Sequence, residues 1–231
     1  MRSAAVPPAL RIHSRKGALA RLLLAQRGAM LARLPVQARG DLALVHETRR
    51  RTALLMTDAA ALHLVACVRA ASGLDGAMAE AGVLMGGSAR LIAATKSAAT
   101  LHLFDVFETL QADDAPHTAV GAHFGGVHGI LAAVEELLAP FADVRFHPGI
   151  FPHSAAGLGD MRFAFVHLDL DLPEGTRDAL EFFYPRLLPG GILLGDDYAD
   201  PGVRETFESF FAGKPETLIA LPWSQGMIVK R

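Results

Sequence analysis

The chain has one cysteine, Cys67, in 231 residues, so no disulfide can form within it and a reducing compartment, the cytoplasm, is the simpler setting. It has no apolar run near the ~18 residues that a membrane-spanning helix needs, so a transmembrane segment is not expected. Acidic residues are missing from the first 40 positions, which carry Arg2, Arg11, Arg15, Lys16, Arg21, Arg27, Arg33 and Arg39. Aromatic side chains do not interleave with those basic ones, so there is no platform on which nucleic-acid bases could stack, and nucleic-acid binding is not expected. Internal repeats and low-complexity linkers are also lacking. What remains, 51% hydrophobic and 20% charged residues with a net charge of -2, describes a globular chain long enough for one α/β domain and a modest extension.

The basic start allows three readings: an organelle transit peptide, an amphipathic helix on an anionic membrane, or a helical arm packed on a partner subunit. Arginines interrupt every apolar stretch, which argues against a secretory signal. Ala18 to Leu34 has helical periodicity and stops at Pro35. The arm is the preferred reading, and with it a homodimer. The chain divides accordingly into a basic helical extension, residues 1–55, and an α/β domain, residues 56–231.

Thr57 is positioned to cap a helix that runs to about Ala71, where Ser72 and Gly73 stop it. From Met78 strands and helices alternate, the signature of a mostly parallel sheet covered on both faces. The expected strands are Met78–Val83, Leu101–Val106, Val144–His147, Phe163–Leu168, Gly191–Gly195, Thr217–Ala220 and Met227–Lys230. The last two lack a helix between them and should form an antiparallel hairpin. The fold class is therefore α/β: a Rossmann-like, seven-stranded, mostly parallel sheet with a C-terminal antiparallel hairpin, helices on both faces and an N-terminal helical extension.

Two features carry chemistry. In AEAGVLMGGS, Glu80 and Gly82 end the first strand, Gly86 and Gly87 form the turn, and Ser88 is the expected cap of the next helix. Glycines let a backbone pass close to a ligand, although the spacing is not GxGxxG. Asp105 ends the next strand about 20 residues on, where an acidic side chain accepts hydrogen bonds from the ribose of an adenosine cofactor. The second feature is a pair of acidic clusters, Asp169 with Asp171 and Asp196 with Asp197, each ending a buried-strand run. A helical segment, RDALEFFYPRLLPGG, joins them and closes on a Pro189-Gly190-Gly191 turn. Neighbouring parallel strands end on one edge of the sheet, so these carboxylates meet there and call for a cation. Asp171 reads as a loop carboxylate or a helix-start charge.

The ordered set AEAGVLMGGS, FDVFE, HPGIFPHS, VHLDLDLPEGTRDALEFFYPRLLPGGILLGDDY and SQGMIVKR resembles the macrocin O-methyltransferase family, from about Met56 to the end. The resemblance implies an S-adenosylmethionine-dependent enzyme with the sheet described above. It implies that Glu80, Gly82, Gly86, Gly87 and Ser88 contact the methionine part of the cofactor, that Asp105 holds its ribose, and that the loop His147 to Phe151 flanks the adenine. It further implies that Asp169, Asp196 and Asp197 hold Mg²⁺. Two positions depart from the family's DLYEST pattern: Pro173 stands for the tyrosine and Gly175 for the serine, both beside the metal.

The expected activity is Mg²⁺-assisted O-methylation of a small molecule with neighbouring oxygens, a sugar diol or a catechol. Asp169 or a nearby histidine takes the proton. Residues 1–55, Gln111 to Gly129 and the terminal hairpin are the expected walls of the acceptor pocket, and Trp223 either lines that pocket or covers the sheet edge. Two other readings stay open: an NAD-dependent oxidoreductase on a related sheet, and a methyltransferase-like scaffold without catalysis, which Pro173 and Gly175 motivate.

Overall fold

A computed structural model describes residues 34–107 and 129–231. Two compact units are distinguished, residues 1–40 and residues 41–231. Of the first, only a short 3-10 turn, Val36–Ala38, and the start of the following helix are described. Most of the Ala18 to Leu34 helix and of the Gln111 to Gly129 wall lies outside the described residues.

The second unit is built on a seven-stranded sheet in the order β3-β2-β1-β4-β5-β7-β6. The strands are β1 (Ala77–Ala81), β2 (Leu101–Asp105), β3 (Val144–Pro148), β4 (Phe163–Leu168), β5 (Leu187–Gly195), β6 (Ile219–Leu221) and β7 (Gln225–Val229). The first five are parallel; β7 runs antiparallel to both β5 and β6, as the helix-free link between them requires. The helices are α1 (Arg39–Arg51), α2 (Asp58–Ala71), α3 (Gly87–Thr95), α4 (Ile130–Leu138), α5 (Pro173–Phe183) and α6 (Pro201–Phe211). None of the described helices is long and apolar enough to cross a membrane.

Alternation along each strand feeds two cores, one per face. Met78, Leu103, Phe165 and Leu194 pack under α2, α3 and α4, which contribute Leu64, Leu91 and Val134. Ala79, Phe104, Val166 and Leu193 pack under α5 and α6 against Phe183 and Phe207. Val45 of α1 and Leu54 join the first core. Arg90 of α3 donates to Thr48 Oγ1 (2.7 Å) and Glu47 Oε1 (2.9 Å), tying α1 to the helix that follows the glycine turn.

Thr57 caps α2 as expected, accepting from the Ala60 N–H at 3.2 Å. Two local expectations fail. The cap of α3 is Gly86, not Ser88: Gly86 has a φ of +76°, and the helix starts at Gly87, which leaves Ser88 buried inside its first turn. Pro189, Gly190 and Gly191 do not form a turn before the strand; they lie within β5, which begins at Leu187 and is irregular there, with Gly190 at a φ of +81°.

Candidate active site

Order reverses between β1 and β4, the two strands at the centre of the parallel region, and their carboxyl ends open a crevice of the type in which α/β sheets bind ligands. A cavity of about 800 Å³ occupies that place. Gly82, Val83 and Leu84 of the glycine turn line it, as do Asp105, Phe151, Asp169, Asp171, Asp196, Asp197 and Trp223. The sheet thus brings the glycine turn and both acidic clusters to one opening.

Backbone geometry is unusual around this opening. Leu84, Phe107, Asp171, Asp197 and Ser224 all have positive φ, between 45° and 69°, and all line the cavity. Non-glycine residues held in that region cost of order 1 kcal/mol or more each, and they concentrate where function fixes a loop. Gly82 has a different reason for its identity. At a φ of +87°, a Cβ there would lie 1.7 Å from the Asp169 carbonyl oxygen, so the end of β1 can lie this close to β4 only without a side chain.

Asp105 stands at the end of β2. Its Oδ2 accepts from the N–H groups of Val83 (2.6 Å) and Leu84 (2.9 Å), and its Oδ1 accepts from Phe107 N–H (2.7 Å). The carboxylate therefore shapes the glycine turn itself. With about four lone-pair sites on two oxygens, it keeps acceptor capacity toward the cavity. Phe151 is nearly buried, packed edge-on against Phe104 and stacked on Phe183, and with Gly149 and Ile150 it walls the side of the cavity next to β3.

Glu80, on β1, is fully buried; like Gly86, Gly87 and Ser88, it is not among the residues that line the cavity. On the neighbouring strand His167, its register partner, is also fully buried, and Nδ1 lies 2.8 Å from Glu80 Oε1. On the other side His167 Nε2 lies 3.8 Å from Asp196 Oδ2. Burial opposes charge on this imidazole, but carboxylates on both sides outweigh it and raise its proton affinity well above the ordinary histidine range. Burial also raises the Glu80 carboxyl, against the pull of His167. Glu80 Oε2 is buried with no hydrogen-bond partner among the described residues.

The acidic corner is the electrostatic centre. One oxygen each from Asp169, Asp171 and Asp197 lie within 4.8 Å of one another. Burial, then the neighbouring charges of Asp196 and Asp197, push the Asp169 carboxyl well above the usual range, with His167 opposing. Burial together with Asp171 and Asp196 raises Asp197 to about 6. Asp197 Oδ2 is buried with no hydrogen-bond partner among the described residues. Crowded oxygens of one sign, from half-buried Asp169 and Asp197 and exposed Asp171, are a donor set suited to a hard divalent cation such as Mg²⁺. Of the sequence-expected ligands, Asp169 and Asp197 stand in this cluster, while Asp196 lines the same cavity with one oxygen toward His167. Asp171 joins the cluster although its sequence context reads as a loop. The D-x-D spacing alone gave no sign that its left-handed φ of 59° turns it back toward Asp197.

Pro173 is the first residue of α5, where a missing N–H costs no helical bond. Gly175 lines the cavity, and a Cβ there would meet Leu170 only at ordinary contact distance, 3.6 Å. Both departures from the family pattern leave the acidic corner intact. No histidine is among the described residues that line the cavity.

The fold and the site define a class, the Rossmann-like methyltransferases with a seventh antiparallel strand. Residues 45–217 match the family described as Macrocin-O-methyltransferase (TylF), and the chain belongs to that family. Among curated proteins it is similar to the 8-demethyl-8-(2,3-dimethoxy-α-L-rhamnosyl)-tetracenomycin-C 4'-O-methyltransferase of Streptomyces olivaceus, with 35% identity over 61% of this chain. The matched part spans 59% of that relative's length. Similar folds are those of the O-methyltransferase NovP (TM-score 0.61, 21% identity, covering 73% of this chain and 78% of that one) and of the calicheamicin methyltransferase CalS11 (TM-score 0.60, 19% identity, covering 94% and 93%).

Proposed function

We propose that the protein is an S-adenosylmethionine-dependent O-methyltransferase, assisted by Mg²⁺, whose acceptor carries neighbouring oxygens. The observation that carries this reading is the convergence of Asp169, Asp171 and Asp197 in the same cavity as the glycine turn and Asp105. Membership of the family supports the methyl donor. A glycoside is favoured over a catechol because the relative from Streptomyces olivaceus is named for a substrate that carries a dimethoxy-rhamnosyl group.

When bound, S-adenosylmethionine supplies an electrophilic methyl carbon, and Mg²⁺ lowers the pKa of an acceptor hydroxyl and orients it. The protein's own task is positioning, because near-attack geometry supplies much of the acceleration in a displacement at carbon. Gly82 would bring backbone against the donor's methionine part, with Gly86, Gly87 and Ser88 shaping the turn and the start of α3 behind it. Asp105 would serve the ribose and Phe151 would flank the adenine, while Glu80 would act on the donor's amino group only from behind the lining residues. Asp169 and Asp197 would hold the cation. The third ligand would be Asp196, which the family resemblance implies, or Asp171, whose oxygen lies within 4.8 Å of those of Asp169 and Asp197. With no histidine lining the cavity among the described residues, Asp169, at the end of β4 in the acidic corner, is the proton acceptor we assign.

The test is turnover of a rhamnoside diol with Mg²⁺ or with EDTA. Replacing Asp196 and Asp197 together by Asn should abolish metal-dependent turnover while S-adenosylhomocysteine still binds. Full activity of that variant in EDTA contradicts the reading. Calorimetric titration of Mg²⁺ into Asp171→Asn and Asp196→Asn separates the two candidate third ligands.

A further inference from the structure

Trp223 is the only tryptophan in the chain, and it stands in the turn between β6 and β7. Its indole Nε1 donates to Gln225 Oε1 at 2.9 Å. The same oxygen lies 3.1 Å from His63 Nδ1 on α2, and Gln225 is fully buried. An amide oxygen only accepts, so this geometry makes Nδ1 the protonated nitrogen of His63. His63 Nε2 is then the acceptor that faces Cys67 Sγ at 3.4 Å. The His63 and Trp223 rings sit 6.0 Å apart at 59°, so the imidazole also buttresses the indole.

The turn is fixed to the acidic corner as well. Tyr198 N–H donates to the Ser224 carbonyl at 3.0 Å, and Ala199 N–H donates to Ser224 Oγ at 3.1 Å. These are the two residues that follow Asp196 and Asp197, and Trp223 and Ser224 line the cavity with those aspartates. Tryptophan offers a large flat apolar face and one polar handle. Here the handle is used inside the protein, so only the face is left for a ligand. Leu55, Met56 and Leu172 line the same cavity, and its other aromatic lining residues among those described are Phe104, Phe107 and Phe151, of which Phe151 stands on the side next to β3.

We propose that Trp223 is the platform for the acceptor: its indole face carries the C–H face of a pyranoside ring, whose vicinal hydroxyls at the ring edge reach the aspartates. Gln225 and His63 are positioning residues that fix the plane of the indole. Sugar C–H bonds carry partial positive charge and are drawn to the negative face of the indole, while a rigid side chain loses little entropy on binding. This rests on the methyltransferase reading above, and it assigns a specificity residue that the reading does not require.

The single tryptophan makes the test direct, because its emission reports on this residue alone. Methyl α-L-rhamnoside is titrated into the full chain holding S-adenosylhomocysteine and Mg²⁺, with calorimetry in parallel. The expected result is a saturable change in emission whose midpoint equals the calorimetric Kd. Trp223→Leu should weaken the rhamnoside about tenfold, Trp223→Phe about threefold, and both should keep the S-adenosylhomocysteine Kd within about twofold. Gln225→Leu should shift the emission of the free protein and raise KM for the rhamnoside several-fold, with the donor Kd unchanged. Rhamnoside binding without any change in emission, wild-type affinity in Trp223→Leu, or no rhamnoside binding to a protein that does bind S-adenosylhomocysteine would each overturn the proposal. Failure to bind S-adenosylhomocysteine would instead remove the methyltransferase reading.

Discussion

Glu80, His167 and Asp196 form a buried line from beneath the glycine turn to the acidic corner, and its parts are tied by charge. Glu80 and His167 are register neighbours, and Asp196 lies on the same face two residues beyond Leu194, the register partner of His167 on β5. Removing the middle member would leave carboxylates buried without their cation, which typically costs 3 kcal/mol or more. His167→Leu is therefore expected to lower stability by about 3 kcal/mol, read as a reduced denaturation midpoint in urea. A second expectation concerns Gly82. Alanine there meets the Asp169 carbonyl oxygen at 1.7 Å and must also hold a φ of +87°, so Gly82→Ala should cost about 3 kcal/mol or more and displace Asp169. Thermal unfolding and Mg²⁺ titration check the two parts separately. The residue reads in sequence as a cofactor contact, and its steric role is invisible there because the partner backbone lies 87 positions away.

At the scale of elements, α6 supports the loop that carries the aspartate pair. Its Phe207 fills the space beside Gly195, where an added Cβ would come within 2.2 Å of the ring. Asp200 caps this helix, its Oδ1 accepting from Gly202 (2.8 Å) and Val203 (3.1 Å) N–H groups. Asp200→Ala should cost about 1 kcal/mol in thermal unfolding, with a larger proportional loss of Mg²⁺ affinity than a cap on a remote helix would give. The elements legible from sequence were those whose signals are local: the Thr57 cap, the apolar runs of β1, β2 and β4, and the helix-free link that makes β6 and β7 a hairpin. The cap of α3 and the start of β5 were misread for one reason. Gly86 takes a left-handed φ where an added Cβ would lie 3.0 Å from Val134 Cγ1 of α4, and Gly190 keeps pairing through Lys230, so tertiary contacts override the turn preference of glycine. In the site, the cluster of strand-end aspartates was legible, whereas the inward turn of Asp171 and the His63, Gln225 and Trp223 bracket depend on contacts between distant segments.

The whole molecule is closed at its C-terminus by Glu216, which is buried and accepts from Tyr184 Oη (2.7 Å), Lys230 Nζ (3.0 Å) and the Arg231 N–H (3.3 Å). Burial works against its ionisation, but these donors prevail and hold the carboxyl at about 2. A group whose pKa is lowered on folding stabilises the fold above its unfolded value of 4.5 and loses that contribution as pH falls toward about 2. Glu216→Gln should therefore be less stable than wild type by about 1–3 kcal/mol at pH 7, with the difference shrinking between pH 4.5 and 2 in urea denaturation. The proposed homodimer, with the basic start of the chain, residues 1–40, as the subunit arm, is checked by light scattering of the full chain, where a monomer mass would remove it. The account as a whole turns on which adenosine cofactor the crevice accepts. Titration calorimetry with S-adenosylhomocysteine and with NAD⁺, each in the presence of Mg²⁺, tests this most directly: the account predicts saturable binding of S-adenosylhomocysteine and none of NAD⁺, and binding of NAD⁺ alone would contradict it.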